Sequence, residues 1–126
     1  MTPRFLEVEE VLRLHARSLD AFGGLPGLRD PGALESAVQA VRNHFLYTGG
    51  DLFDLAAVLL WHLGRNHPFA DGNKRVALAA ALVFLDLNGI QLAQDDELFE
   101  SLTQGVAASG IERDALAHRL RSAKPA

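Results

Sequence analysis

The stretch NHPFADGNKR (Asn66–Arg75) lies directly before VALAAALVFL (Val76–Leu85), the longest apolar run of the chain. Apolar residues on nearly every side of a helix predict that the helix is buried, so we expect this run to form the centre of the core. The preceding residues 52–63 also carry apolar side chains at helical spacing and predict a second largely buried helix. The polar stretch 66–75, named the central loop below, is therefore held by the core at both ends.

Helical periodicity continues through the rest of the chain. Apolar residues recur at i, i+3 and i+4 along most segments, capping acids stand before two of them, at Asp30 and Asp51, and the acids Asp95–Glu97 open a further helix. A short extended segment is an open alternative only at Ile90–Leu92. The predicted helices cover approximately residues 7–20, 31–45, 52–63, 72–88, 95 onward and 111–123. The sequence therefore predicts an all-α fold of about six helices around a buried central helix, in a single domain spanning residues 1–126.

Composition excludes several classes of protein. The chain of 126 residues has no cysteine, which rules out disulfides and thiolate metal sites. Its net charge of −4 makes non-specific nucleic-acid binding unfavourable, so we expect no direct contact with DNA. The longest apolar run is about half of the roughly twenty residues that a membrane span needs. With no signal-peptide pattern at the N-terminus, we expect a cytoplasmic protein without membrane association.

The central loop combines residue types that suit phosphate chemistry. His67 is a candidate general base, because histidine ordinarily titrates near neutral pH. Asp71 is a candidate Mg²⁺ ligand, since Mg²⁺ bound to phosphates usually takes one or two protein carboxylates. Gly72 allows the backbone to approach a ligand at the start of the next helix, where free N–H groups attract anions. Lys74 and Arg75 are disfavoured in that first turn unless an anion binds there, which points to a polyphosphate.

HPFADGNKR (His67–Arg75) resembles the signature of the Fic/Doc family, His-x-Phe-x-Asp/Glu-Gly/Ala-Asn-Gly/Lys-Arg. GGLPGLRDPGALESAV (Gly23–Val38) looks like the loop and second helix of Doc toxins. DLFDLAAVLLWHL and ALVFLDLNG stand where Doc proteins carry their flanking core helices. The resemblance thus covers most of the chain and implies a Fic/Doc-type helical domain.

The resemblance also implies roles for the residues of the central loop. His67 would be the general base that activates a target hydroxyl, and Asp71 would hold Mg²⁺. ATP would be the nucleotide. Its phosphates would be bound by Gly72, Asn73, Lys74 and Arg75.

Two positions favour the Doc branch over the Fic branch. Fic enzymes that transfer AMP have glycine where this chain has Lys74, and a second arginine where it has Leu78. Doc-type proteins are kinases that transfer the γ-phosphate of ATP to a threonine of elongation factor Tu and arrest translation. The resemblance therefore implies the toxin of a Phd/Doc-type toxin–antitoxin module. An AMP transferase acting on a protein hydroxyl and a catalytically inactive Fic-like binding module are the alternatives.

A protein partner also follows from the resemblance. Doc toxins are neutralised by the C-terminal helix of a Phd-type antitoxin, which lies in a groove of the toxin's N-terminal helices. The expected walls of that groove here are Glu7–Asp20 and Asp30–Phe45.

Other side chains are interpreted as structural. Phe69 is expected to point inward and anchor the central loop, while His15 and Trp61 are expected in the core. The group His44, Phe45 and Tyr47 fits either a partner-binding surface or packing beneath the following Gly-Gly loop. No histidine pair has the spacing of a zinc site.

Overall fold

Six α-helices form within the residues that the computed structural model describes, 2–108 and 111–126. In chain order they are α1 (Val8–Phe22), α2 (Pro31–Tyr47), α3 (Leu52–Asn66), α4 (Asn73–Leu87), α5 (Asp96–Ala107) and α6 (Arg113–Arg121). Extended backbone pairs in this part of the chain only as isolated bridges, Leu28 with Phe69 and Leu92 with Pro125. The predicted all-α fold is confirmed. None of the described helices combines the length and the apolar character needed to cross a membrane.

The helices α3 and α4 form the centre of the molecule, as the apolar pattern predicted. Both are lined with small residues, and a Cβ placed on Gly64 of α3 would lie 3.9 Å from the Cβ of Ala77 in α4. Small side chains allow the two helix axes to approach closely, which buries the larger neighbours more completely. Around this pair, α2 and α6 pack on α3, α1 packs on α4, and α5 covers both. The two ends of the central loop are therefore fixed by the most buried helices.

The predicted N-terminal caps are present. Asp30 Oδ1 accepts a hydrogen bond from Ala33 N at 3.0 Å, and Asp51 forms a reciprocal capping box with Asp54 at the start of α3. Arg121 at the end of α6 binds this box, with Nε 2.7 Å from Asp51 Oδ2. That hydrogen bond is the main reason why the pKa of Asp51 falls to about 2. The capping acids thus start the helices and also join α6 to α3.

The C-terminal residues pair with the segment for which the sequence left an extended conformation as an open alternative. Leu92 pairs with Pro125, and Ala93 N donates to Lys124 O at 2.8 Å. The possible extended segment at Ile90–Leu92 is therefore a single bridge that binds the C-terminus.

Three aromatic side chains differ in burial. Trp61 is half-buried at the edge of the core, and its indole lies 4.7 Å from the guanidinium of Arg65, so the prediction of a core tryptophan holds only in part. Phe45 packs edge-to-face on Phe5, with ring centres 5.9 Å apart. Tyr47 is 87% exposed. Phe45 is therefore packed, on Phe5, while Tyr47 lies at the surface and its contact with a partner stays a prediction.

Candidate active site

The central loop begins with His67 in an unusual backbone conformation. Its φ of 47° and ψ of 59° lie in the left-handed region, and it is the one residue other than glycine with positive φ in the described chain. Such a residue ends a helix by reversing the chain, at a cost of about 1–3 kcal/mol that the surroundings must offset. Part of this support comes from Arg29, whose Nη2 donates to His67 O at 2.7 Å. The half-buried imidazole of His67 is thereby directed into the cavity described below.

Phe69 anchors the middle of the loop, as predicted. Its side chain is 1% exposed, and its ring stacks on the imidazole of His15 with centres 3.8 Å apart and planes 9° from parallel. Asn73 closes the loop above it, because Oδ1 accepts from Phe69 N and Nδ2 donates to Phe69 O, each at 3.0 Å. Both ends of the Asn73 amide are therefore occupied by the loop backbone. This side chain shapes the loop, and its predicted contact with phosphate stays a prediction.

The α1–α2 connection, residues 23–30, supports the loop from behind. The backbone N–H groups of Arg29 and Asp30 donate to Pro68 O at 2.8 and 2.9 Å. Ala70 N donates in the other direction, to Gly27 O at 3.0 Å. These bonds satisfy backbone groups of an irregular segment and fix its position relative to α1 and α2.

Asp71 is the acid of the loop, and its carboxylate is prepared for a cation. Oδ2 accepts from Leu25 N at 3.0 Å, and Oδ1 accepts from Gly72 N at 2.9 Å. These two backbone N–H groups, chiefly that of Leu25, hold the pKa of Asp71 below its ordinary value, and the charge of Arg75 acts in the same direction. The side chain is therefore ionised at neutral pH and exposed to solvent. A single exposed carboxylate of this kind suits Mg²⁺ bound to phosphates, which usually takes only one or two protein carboxylates.

The N-terminus of α4 completes an anion site. Gly72 is the N-cap with φ of 76°, and no capping side chain accepts a hydrogen bond from the first N–H groups of α4. Lys74 and Arg75 are exposed in the first turn, and in the described part of the chain neither forms an ion pair with a carboxylate. The guanidinium of Arg75 lies 4.7 Å from the ring centre of Phe22, which restricts its position.

All five predicted site residues that carry side chains open onto one cavity of about 530 Å³. Its opposite wall is formed by α5, which contributes Glu100, Thr103 and Gln104. Gln104 is oriented by a hydrogen bond from Nε2 to Glu100 Oε1 at 3.0 Å. The cavity brings together His67, Asp71, Asn73, Lys74 and Arg75, with Gly72 between them.

Two groups of site residues were missed from the sequence. The α5 wall lies some thirty positions after the loop and has no motif of its own, so no local signal marks it. His15 was interpreted as a core histidine, which its 5% exposure confirms, but its Nε2 lies 2.7 Å from Asp71 O and contacts the loop directly. Its only sequence signal was a polar residue on the apolar face of α1.

Comparison with known proteins identifies the family of the chain. The model of the Fic/DOC family matches residues 5–85, from just before α1 to the last turn of α4, and the chain belongs to that family. Among its relatives, "Protein kinase doc" of Escherichia phage P1 is 40% identical over 119 residues, covering 94% of each chain. "Toxin Doc" of Mycolicibacterium smegmatis is 43% identical over 122 residues, covering 92% of this chain and 90% of that protein.

Proposed function

We propose that this chain is the toxin of a Phd/Doc-type toxin–antitoxin module and acts as a protein kinase. The observation that carries the proposal is the pair of exposed cations, Lys74 and Arg75, at the open N-terminus of α4, beside His67 and Asp71 in one cavity. Each exposed cation against the positive end of a helix dipole costs about 0.3–1 kcal/mol, and an anion with several charges bound between the two would offset that cost. The names of the relatives, a kinase and a toxin, support the same function.

In this mechanism the protein supplies a base and a charged cradle. His67 accepts the proton of the target hydroxyl, whose oxygen attacks the γ-phosphorus of ATP, and ADP leaves as the bond to the bridging oxygen breaks. Lys74, Arg75 and the N–H groups after Gly72 hold the phosphate oxygens in line for the attack. Asp71 would hold Mg²⁺, which neutralises part of the phosphate charge. The proposed target is a threonine of elongation factor Tu.

Lys74 and Leu78 support transfer of phosphate rather than AMP. Lys74 is exposed in the first turn of α4 and lines the cavity, so its ammonium occupies space that glycine would leave to the nucleotide. Leu78, one turn further along, packs on the core and is not among the residues that line the cavity. With a cation at Lys74 and none at Leu78, the phosphate-binding site favours ATP bound with its γ-phosphate toward His67.

A labelled-ATP experiment tests the reaction. Purified elongation factor Tu is incubated with Mg²⁺ and ATP labelled at either the γ- or the α-phosphorus, using wild type, His67→Ala and His118→Ala. His118 is an exposed histidine on α6 and serves as the matched control. We expect γ-label on the factor with wild type and His118→Ala, and a loss of at least about 100-fold with His67→Ala, the usual contribution of a positioned base. Transfer of the α-label would identify an AMP transferase, and absence of both labels would contradict elongation factor Tu as the target.

The proposed antitoxin site is the cleft between α1 and α2. These helices pack on the central pair more than on each other, and a cleft of about 490 Å³ lies between them. Its lining is largely polar, and the ion pair between Glu7 and Arg42 crosses it. An antitoxin helix would therefore bind partly through charged and polar groups. We expect Gln39→Arg in the cleft to weaken binding of the antitoxin by at least about tenfold, measured by calorimetry, while Gln91→Arg outside it has no effect.

A further inference from the structure

We infer that His15 is a positioning residue for the metal-binding end of the central loop, an inference that rests on the proposed function for its catalytic consequence. In the described residues His15 is the one buried polar side chain, with 5% exposure. A buried imidazole costs free energy unless its polar atoms are satisfied, so its partner indicates what the residue does. That partner is the backbone of Asp71, 56 residues further along the chain.

The hydrogen bond fixes both the tautomer and the direction of the contact. A carbonyl oxygen can only accept, so His15 Nε2 carries the proton and donates to Asp71 O over 2.7 Å. The ring face meanwhile stacks on Phe69 at 3.8 Å, which prevents rotation of the imidazole. The donor is therefore held rigidly by α1 on one side and by the loop's anchor on the other.

This contact acts on the peptide that joins Asp71 to Gly72. A Cβ added to Gly72 would lie 3.6 Å from His15 Nε2, so the imidazole lies directly behind this peptide. The orientation of the peptide sets the direction of Gly72 N, which donates to Asp71 Oδ1 at 2.9 Å. His15 thus determines the side-chain position of Asp71 through the backbone, without touching the carboxylate. Groups that orient metal ligands in this way typically contribute about 10–100-fold to metal affinity.

Three variants separate this role from a general effect on stability. His15→Gln places an amide N–H at nearly the same reach as Nε2, whereas His15→Leu keeps an apolar side chain but removes the donor. Val11→Ala is the matched control, since Val11 is fully buried one turn earlier on α1 and its side chain has no hydrogen-bond donor.

The first measurement needs neither nucleotide nor activity. Hydrogen exchange followed by NMR reports the amides of Gly72 and Leu25, the two donors to the Asp71 carboxylate. We expect both to exchange at least about tenfold faster in His15→Leu after correction for global stability, and near the wild-type rate in His15→Gln and Val11→Ala. Unchanged exchange in His15→Leu, or equal acceleration in Val11→Ala, would overturn the inference.

The second measurement is the affinity for Mn²⁺ with a non-hydrolysable ATP analogue, followed by electron paramagnetic resonance. We expect the dissociation constant to rise about 10-fold or more in His15→Leu and less than about 3-fold in His15→Gln. If His15→Gln binds as weakly as His15→Leu, the hydrogen bond is not what positions Asp71. If wild type binds no nucleotide or transfers no label, the proposed function fails, while the exchange rates still decide the role of His15.

Discussion

Replacing Gly24 by alanine should displace the side chain of Asp71, although the two residues are 47 positions apart in the chain. The reason is that a Cβ at position 24 would lie 2.8 Å from Asp71 Oδ2. Real Cβ atoms do not approach oxygen so closely, so one of the two must move. The φ of Gly24 is 120°, a region that alanine reaches only under strain. The carboxylate is the more mobile partner, and its movement would break the hydrogen bond from Leu25 N.

The expected magnitude has two parts. Backbone strain of this kind costs about 1–3 kcal/mol in the free energy of unfolding, which lowers Tm by roughly 4–12 °C in a chain of this size. The shift of the carboxylate should weaken binding of Mn²⁺ with nucleotide by at least about tenfold, because metal sites tolerate displacements of only about 0.5 Å.

Gly23→Ala separates the two parts. Gly23 also has positive φ, at 79°, but a Cβ there would have no atom within 4 Å. It should therefore lower Tm by a similar amount while leaving Mn²⁺ affinity within about twofold of wild type. Calorimetry gives Tm, and titration under electron paramagnetic resonance gives affinity. Equal metal affinities in Gly23→Ala and Gly24→Ala would refute the reasoning, whatever their stabilities.

Three further perturbations test the packing and electrostatics. Gly64→Ala would place a Cβ 2.6 Å from Val106 Cγ1 where α3 meets α5, so we expect the free energy of unfolding in urea to fall by about 1–3 kcal/mol. Adding Val106→Ala should restore part of this loss, and an unchanged urea midpoint in Gly64→Ala would contradict the expected clash. Arg121→Ala removes the main cause of the low pKa of Asp51, about 2, so the loss in free energy of unfolding should be present at pH 7 and decline as pH falls from about 5 through 2. The loss should be small at any pH because both side chains are partly exposed, and a loss independent of pH in this range would contradict the ion pair. Asn73→Ala opens the loop by removing two hydrogen bonds, so we expect the free energy of thermal unfolding to fall by about 1–3 kcal/mol and phosphate transfer to be reduced. An unchanged Tm would show that the amide does not close the loop.

The helices could be predicted because their signals are local. Apolar spacing marked the buried faces, and Asp30, Asp51 and Asp95 each cap the helix that their position predicted. Phe69 was assigned correctly as the anchor, since a lone aromatic residue in a polar loop between buried helices has little alternative to the core.

The supports of the site could not be predicted in the same way. The hydrogen bonds from Arg29 to His67 and from His15 to Asp71 join residues that only tertiary packing brings together. Asn73 illustrates a second limit, because its residue type suits a ligand contact as well as a backbone contact, and the structure shows only the latter. Residue chemistry therefore indicated which groups gather at the loop, while their supporting contacts depend on the complete fold.

The dependence of the central loop on residues 23–30 limits what the motif can do alone. A fragment beginning at α3 would contain all nine residues HPFADGNKR but none of the donors that reach Asp71 and Pro68 from the N-terminal third. Such a piece, or the same nine residues grafted between two helices of an unrelated scaffold, would carry the reactive groups without a fixed arrangement. The smallest unit that could be transferred to another protein therefore contains two segments that are distant in the sequence, the central loop and residues 23–30. Any recombination that separates these two segments should yield an inactive protein.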